Sequence, residues 1–186
     1  FAYLDPGSLY RVVGQAVRAA GRAPSDETAA LAAARGLDVS AIDEAAIRTR
    51  EAGEAASLVA AMPAVRAAIL DFQRDFARNP PGGEPGAVLD GRDIGTVVCP
   101  GARAKIFVTA RPEIRARRRW LELKNSGLDV SETQILEDIK ARDRRDAERA
   151  ASPMRPAPEA HLLDTSDLSI EAAFDAAVSI IDKAMG

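Results

Sequence analysis

Cysteine is almost absent from this chain of 186 residues: Cys99 stands alone, so no internal disulfide can form. Histidine is as scarce, with His161 the only one, and a Cys/His zinc site therefore lacks ligands. Aromatic residues reach only 4% and are scattered, which leaves no platform on which successive bases could stack. No apolar run approaches the ~20 residues needed to span a bilayer, and no signal-peptide pattern opens the sequence. An excess of positive charge is missing too. The formal net charge is −3, with 25 basic against 28 acidic residues, and gives no support to general polyanion binding. These absences predict a cytoplasmic domain with neither nucleic acid nor a membrane as partner; the composition does not set the oligomeric state, and a monomer is the expectation.

What is present is a foldable composition. Hydrophobic residues make up 47% and charged residues 28%, enough for a core and too apolar for wholesale disorder. Alanine supplies 38 residues of that apolar content, which favours helices packed closely over an aromatic core. The length suits one domain over residues 1–186 with a small inserted lobe. Among the basic residues only Lys105, Lys124, Lys140 and Lys183 are lysines, and the other 21 are arginines. Guanidinium is the better group for bidentate capture of phosphate oxygens, although compositional bias of the source genome gives the same skew.

Periodicity sets out the elements. Phe1 to Leu4 reads as a short strand running into Asp5-Pro6-Gly7. Leu9, Val12, Val13, Ala16 and Val17 then recur at helical spacing as far as Gly21. Ser25 is the expected N-cap of a second helix closed by Gly36. Ala45 to Arg78 reads as helical with a break at Pro63, and Val65, Ile69, Phe72 and Phe76 share one face. Asn79 to Gly86 is a loop by composition. Ala87-Val88-Leu89 and Lys105 to Thr109 are strand-like, Pro112 starts an arginine-rich helix, and Ser131 with Gln134 forms a capping box. A last strand, His161 to Asp164, precedes a helix striped by Ile170, Phe174, Ala177, Val178 and Ile181. Short strands separated by helices predict an α/β fold, a parallel sheet flanked by helices.

Ligands of such sheets bind beyond the C-terminal ends of the strands. There the sequence places Asp5, Asp90, Arg92, Asp93, Thr109, Arg111, Asp164 and Thr165. Asp90-Gly91-Arg92-Asp93-Ile94-Gly95 is either a tight capped loop or a site in which an arginine aims at a phosphate beside carboxylates. Along the helix after Ser131, Ile135, Ile139, Arg142, Asp146 and Arg149 share a face that begins apolar and ends ionic. A cleft-lining helix has this pattern, and so does a solvated helix end with intrahelical ion pairs. His161 is expected to pack or cap locally, and Cys99 to fill a small core position.

Taken together, these segments resemble the bacterial cytidylate kinases, which are P-loop nucleoside monophosphate kinases. Asp90 to Val98 carries the most specific motif, followed at the expected spacing by Lys105 to Ala110. Arg142 to Arg149 resembles the arginine-rich lid, Leu163 to Ser166 the closing strand, and Leu4 to Arg11 the first phosphate-contacting segment. Ile47-Arg48-Thr49, Ala55-Ala56-Ser57 and Pro63 to Arg66 look like the cytosine-binding lobe. The resemblance implies phosphoryl transfer from ATP to CMP or dCMP with Mg²⁺. It implies a helical monophosphate-binding lobe at about 25–86 and a lid at about 120–150. Arg11, Arg92 and Arg149 would hold the monophosphate, with Arg92 and Arg149 also serving the transfer. Ser57, Arg66 and Asp93 would read cytosine, and Arg142 and Asp146 would hold the ribose. Arg118 would lie near adenine, and Asp90 near the metal through water.

The sequence departs from the family's pattern in three places. Pro6 replaces a hydroxyl residue, and the stretch from Gly36 to Ile47 is short. No G-x-x-x-x-G-K-[ST] occurs, whereas the family's glycine-rich loop would come just before Phe1. An N-terminal element, including a central strand, is therefore expected to be missing. A nucleotide-binding module without catalysis and without a P-loop is the alternative. An arginine-rich nucleic-acid binder is a weaker rival, because carboxylates match the arginines.

Overall fold

A computed structural model describes residues 1–38, 44–47, 49–148 and 154–186. They form two compact units, Phe1–Gly91 and Arg92–Gly186. In both, parallel strands are accompanied by helices, as the α/β expectation required.

The first unit opens with β1 (Ala2–Leu4), which pairs in parallel with β2 (Ala87–Leu89) in the register Ala2 to Ala87. Between them run α1 (Pro6–Ala19), α2 (Glu27–Arg35), α3 (Glu44–Ile47), α4 (Arg50–Ala60) and α5 (Pro63–Arg78). Helix α1 begins one residue before Gly7 because Asp5 caps it, accepting the Gly7 N–H at 2.8 Å, and Pro6 occupies the first turn. The cap of α2 is Asp26 and not Ser25: Asp26 accepts the Ala29 N–H at 3.0 Å while Arg22 grips its other oxygen. The long helical stretch breaks at Pro63 as expected, and also at Thr49, whose hydroxyl caps α4 through the Ala52 N–H.

Leu4, Leu9, Val13, Val17, Ala30, Ala34, Val59, Val65, Ile69 and Phe76 make the core of this unit, with Phe72 packed at its margin. Helices α1 and α4 approach closely at Gly14. A Cβ there would stand 2.7 Å from the Ala55 Cβ and 3.0 Å from its backbone carbonyl carbon. Alanine at 55 and 56 lets the helices come this near, and at Gly14 even a methyl group is too much.

In the second unit β3 (Ile106–Thr109) pairs in parallel with β4 (His161–Asp164), Ile106 opposite His161 and Thr109 opposite Asp164. Helices α6 (Pro112–Asn125) and α7 (Glu132–Ala147) pack on one another, and α8 (Ile170–Met185) follows β4. Ser131 caps α7 as expected, but the reciprocal half of the capping box is unmade, because the Gln134 amide turns to Asp138. The Trp120 indole donates to the Val130 carbonyl at 3.1 Å and ties the α6–α7 connection down. Lys105 is buried at the start of β3 and pairs with Glu159 and the Pro100 carbonyl. His161 is exposed and Cys99 half-buried. The stripe of α8 is where the sequence says, yet it faces outward. Ile170 is 86% and Phe174 67% exposed, and no residue of α8 is buried.

Candidate functional site

Strand β2 delivers Asp90, which is exposed at its end. Beyond it the chain turns through a single π-type turn, Ile94–Val98, in which the Asp93 carbonyl accepts from Val97 and Val98 and the Ile94 carbonyl from Cys99. One extra residue in a helical turn re-aims what precedes it, and such turns recur at functional sites. Gly95 belongs here because the Lys105 side chain lies 3.3 Å from where its Cβ would be. The Asp93 carboxylate caps nothing in this turn. Asp93 and Arg92 are both half-buried.

Arg92 and Arg142 act on one carboxylate. Asp143 on α7 accepts both arms of the Arg115 guanidinium, at 3.0 and 2.5 Å. That pair holds its carboxyl below the usual range against the cost of burial, and the charges of Arg142 and Arg92 push it the same way. Residues expected at the monophosphate (Arg92) and the ribose (Arg142) thus both favour the ionised form of Asp143. Arg142 is exposed on α7, Asp146 is carried by the same helix, and Arg149 lies outside the described residues.

Two arginines at and near the start of α6 brace the loop after β4. Arg118 donates to the Thr165 hydroxyl at 3.1 Å and the Thr165 carbonyl at 2.5 Å, so it supports the loop after β4. Arg111 forms a two-pronged pair with Asp167 at 3.1 and 2.6 Å, and its N–H donates to the Ser166 hydroxyl. Thr165 returns its own hydroxyl to the Thr109 carbonyl, closing the C-terminal ends of β3 and β4 together. Ser166, through its hydroxyl and its N–H, holds the Asp164 carboxyl below its usual range. Neither Arg115 nor Asp143 emerges from the sequence as special. They are 28 residues apart, and no helical or strand spacing relates them.

In the first unit Arg11 reaches from α1 to the end of α3, donating to the Ile47 carbonyl at 2.8 Å and the Thr49 carbonyl at 3.4 Å. Gln15, one turn on, bonds the Ala46 carbonyl at 2.6 Å. The guanidinium expected at a phosphate thus finishes a helix C-terminus. Ser57 bonds back to the Gly53 carbonyl at 3.1 Å on α4, and Arg66 stands half-buried on the first turn of α5. Among the described residues no group of three or more His, Cys, Asp and Glu side chains gathers as a cation cage. No single helix among them is long and apolar enough to cross a membrane.

Comparison with known proteins gives the family. The family model described as cytidylate kinase matches residues 1–183. A cytidylate kinase of Rhodospirillum rubrum is 57% identical over 181 residues, covering 97% of this chain and 85% of that protein. Those of Caulobacter vibrioides and Rhizobium meliloti are 54% and 52% identical over 184 and 185 residues, covering 99% and 100% of this chain and 84% and 85% of theirs. With the site motifs in order along a chain matched almost from end to end, this protein belongs to the cytidylate kinase family.

Proposed function

We propose that this chain's reaction is transfer of the γ-phosphoryl group of ATP to CMP or dCMP, giving ADP and CDP or dCDP. What supports the reading is the cytidylate kinase family's match to residues 1–183, with Arg92 just after the end of β2 and Arg142 on α7 both favouring the ionised carboxylate of Asp143. A largely dissociative phosphoryl transfer asks the protein for in-line positioning and for cations over the moving charge, with little covalent chemistry. Arginines at a strand end and on a helix that closes over the nucleotide meet that need. Residues 25–86 are the monophosphate-binding lobe in this reading, and residues 120–150 the lid. Arg11, Arg92 and Arg149 hold the monophosphate, Ser57, Arg66 and Asp93 read cytosine, and Arg142 and Asp146 hold the ribose. For Arg11 this requires leaving the carbonyls of Ile47 and Thr49. Arg118 acts near adenine through the Thr165 loop that it braces.

Mg²⁺ dehydrates reluctantly and keeps several waters, so one exposed carboxylate, Asp90, suits contact through water. When bound with ATP, the ion neutralises charge on the β- and γ-phosphates. The donors for a triphosphate are not evident among these 186 residues, which contain no G-x-x-x-x-G-K-[ST]. The chain on its own should therefore bind CMP more tightly than ATP in titration calorimetry and release ADP slowly in a coupled assay. A version extended by a relative's glycine-rich loop should release it at least ~10²-fold faster, the worth of one preorganised donor in comparable sites. Tighter binding of ATP than of CMP, or equal turnover by both versions, would overturn the assignment. Turnover that stays absent in the extended version would favour a nucleotide-binding module.

A further inference from the structure

We propose that Asp143 is a positioning residue for nucleotide binding: gripped by Arg115, it sets where Arg142 stands. The proposal rests on the reading of Arg142 as a ribose-binding residue. Helix α7 packs on α6 along one side. None of its described side chains is buried, and Ile135 and Ile139 are only half-buried, so packing specifies its placement weakly. At its N-terminal end α7 is tied to α6 by the Arg117–Glu132 pair and by the Trp120 bond to Val130, just ahead of the helix. Toward its C-terminal end, where the expected ligand residues sit, Asp143 ties it to Arg115 of α6.

That tie has the geometry of a fixture. Arg115 Nε donates to the Ala110 carbonyl at 2.9 Å, at the junction of β3 and α6, while its two terminal nitrogens take the two oxygens of Asp143. A planar guanidinium held on both edges has no freedom to swing. It transmits the position of the strand end to α7 and fixes the helix in rotation as well as height. Arg142 is the neighbouring residue on the same helix, so its Cα follows that of Asp143. Both members of the pair are about one-third exposed, so it adds little to stability. Its value is geometric.

Calorimetric titration of the 186-residue chain with CMP tests this, using Arg142→Ala, Asp143→Asn, their combination, and Arg115→Lys. Arg142→Ala should weaken CMP binding about tenfold, the loss of a charge-assisted hydrogen bond. Asp143→Asn should weaken it several-fold, and the double variant should be no weaker than Arg142→Ala alone, because both changes remove one contact. Arg115→Lys should match Asp143→Asn, since an ammonium cannot hold Ala110 and both carboxylate oxygens together. It also supplies the answer should Asp143→Asn lower the melting temperature too far. A purely structural role would weaken binding by the same factor with or without Arg142, and multiplying effects would overturn the proposal. So would normal CMP affinity in both Asp143→Asn and Arg115→Lys. If Arg142→Ala alone binds CMP normally, the ribose reading falls and takes the proposal with it.

Discussion

Gly14 shows how one missing methyl group places a helix. Its hydrogen faces the Ala55 Cβ at a separation no added Cβ tolerates, and the Ala55 carbonyl carbon close behind belongs to a helix that cannot bend locally. Gly14→Ala gains helix propensity but must push α1 from α4. A net loss of about 1–3 kcal/mol is expected, read as a lower denaturant midpoint. Asp93 belongs to the same scale and to the chemistry. With its carboxylate unused in capping the turn, Asp93→Ala should lose little stability. In the loop-extended enzyme it should narrow the preference for CMP over UMP in kcat/KM, by about 1.5–3 kcal/mol for a charged hydrogen bond. An unchanged preference would remove Asp93 as the base reader.

At the scale of elements, the α6–α7 pair carries an acid-sensitive contact. Arg115 holds the Asp143 carboxyl below its ordinary value of 3.8. A depressed native value means that the pair's contribution is complete above the ordinary value and is lost as pH falls through the lowered one. Acid titration of wild type and Asp143→Asn should therefore show curves that differ above about pH 4 and converge below it. Parallel curves down to the acid limit would show that the pair does not titrate with folding. Element boundaries were largely legible in the sequence where the signal is local. Proline in the first turns of α5 and α6, the Ser131 cap, and the Val65–Ile69–Phe76 face all depend on residues within a few positions of one another. The choice of Asp26 over Ser25 was not legible, because two adjacent residues can both cap and only the grip of Arg22 separates them. The Asp90–Asp93 motif and the ionic face of α7 marked the candidate site. The service of Arg11, Arg111, Arg115 and Arg118 to carbonyls and carboxylates distant in sequence left no trace in spacing.

For the whole molecule, the α8 stripe is the outstanding surface feature. Periodicity identifies an apolar face and is silent on what covers it. Ile170 and Phe174 are mostly exposed, with Val178, Ile181 and Met185 each more than one-third exposed along the same helix. Contiguous apolar surface of this kind drives association. Light scattering of the 186-residue chain should rise with concentration, and Ile170→Ser with Phe174→Ser should suppress the rise while leaving CMP affinity unchanged. Concentration-independent scattering by the parent chain would refute this. The placement of the chromophores has a different consequence. Trp120, the single tryptophan, sits at the elbow of α6 and α7 between the cations of Arg117 and Lys124, whereas Tyr3 and Tyr10 both belong to the first unit. Indole emission thus watches the α6–α7 elbow alone, and the phenol signals watch only the other unit. The native sequence already contains a two-colour optical assay in which each half of the protein reports its own melting without an added label.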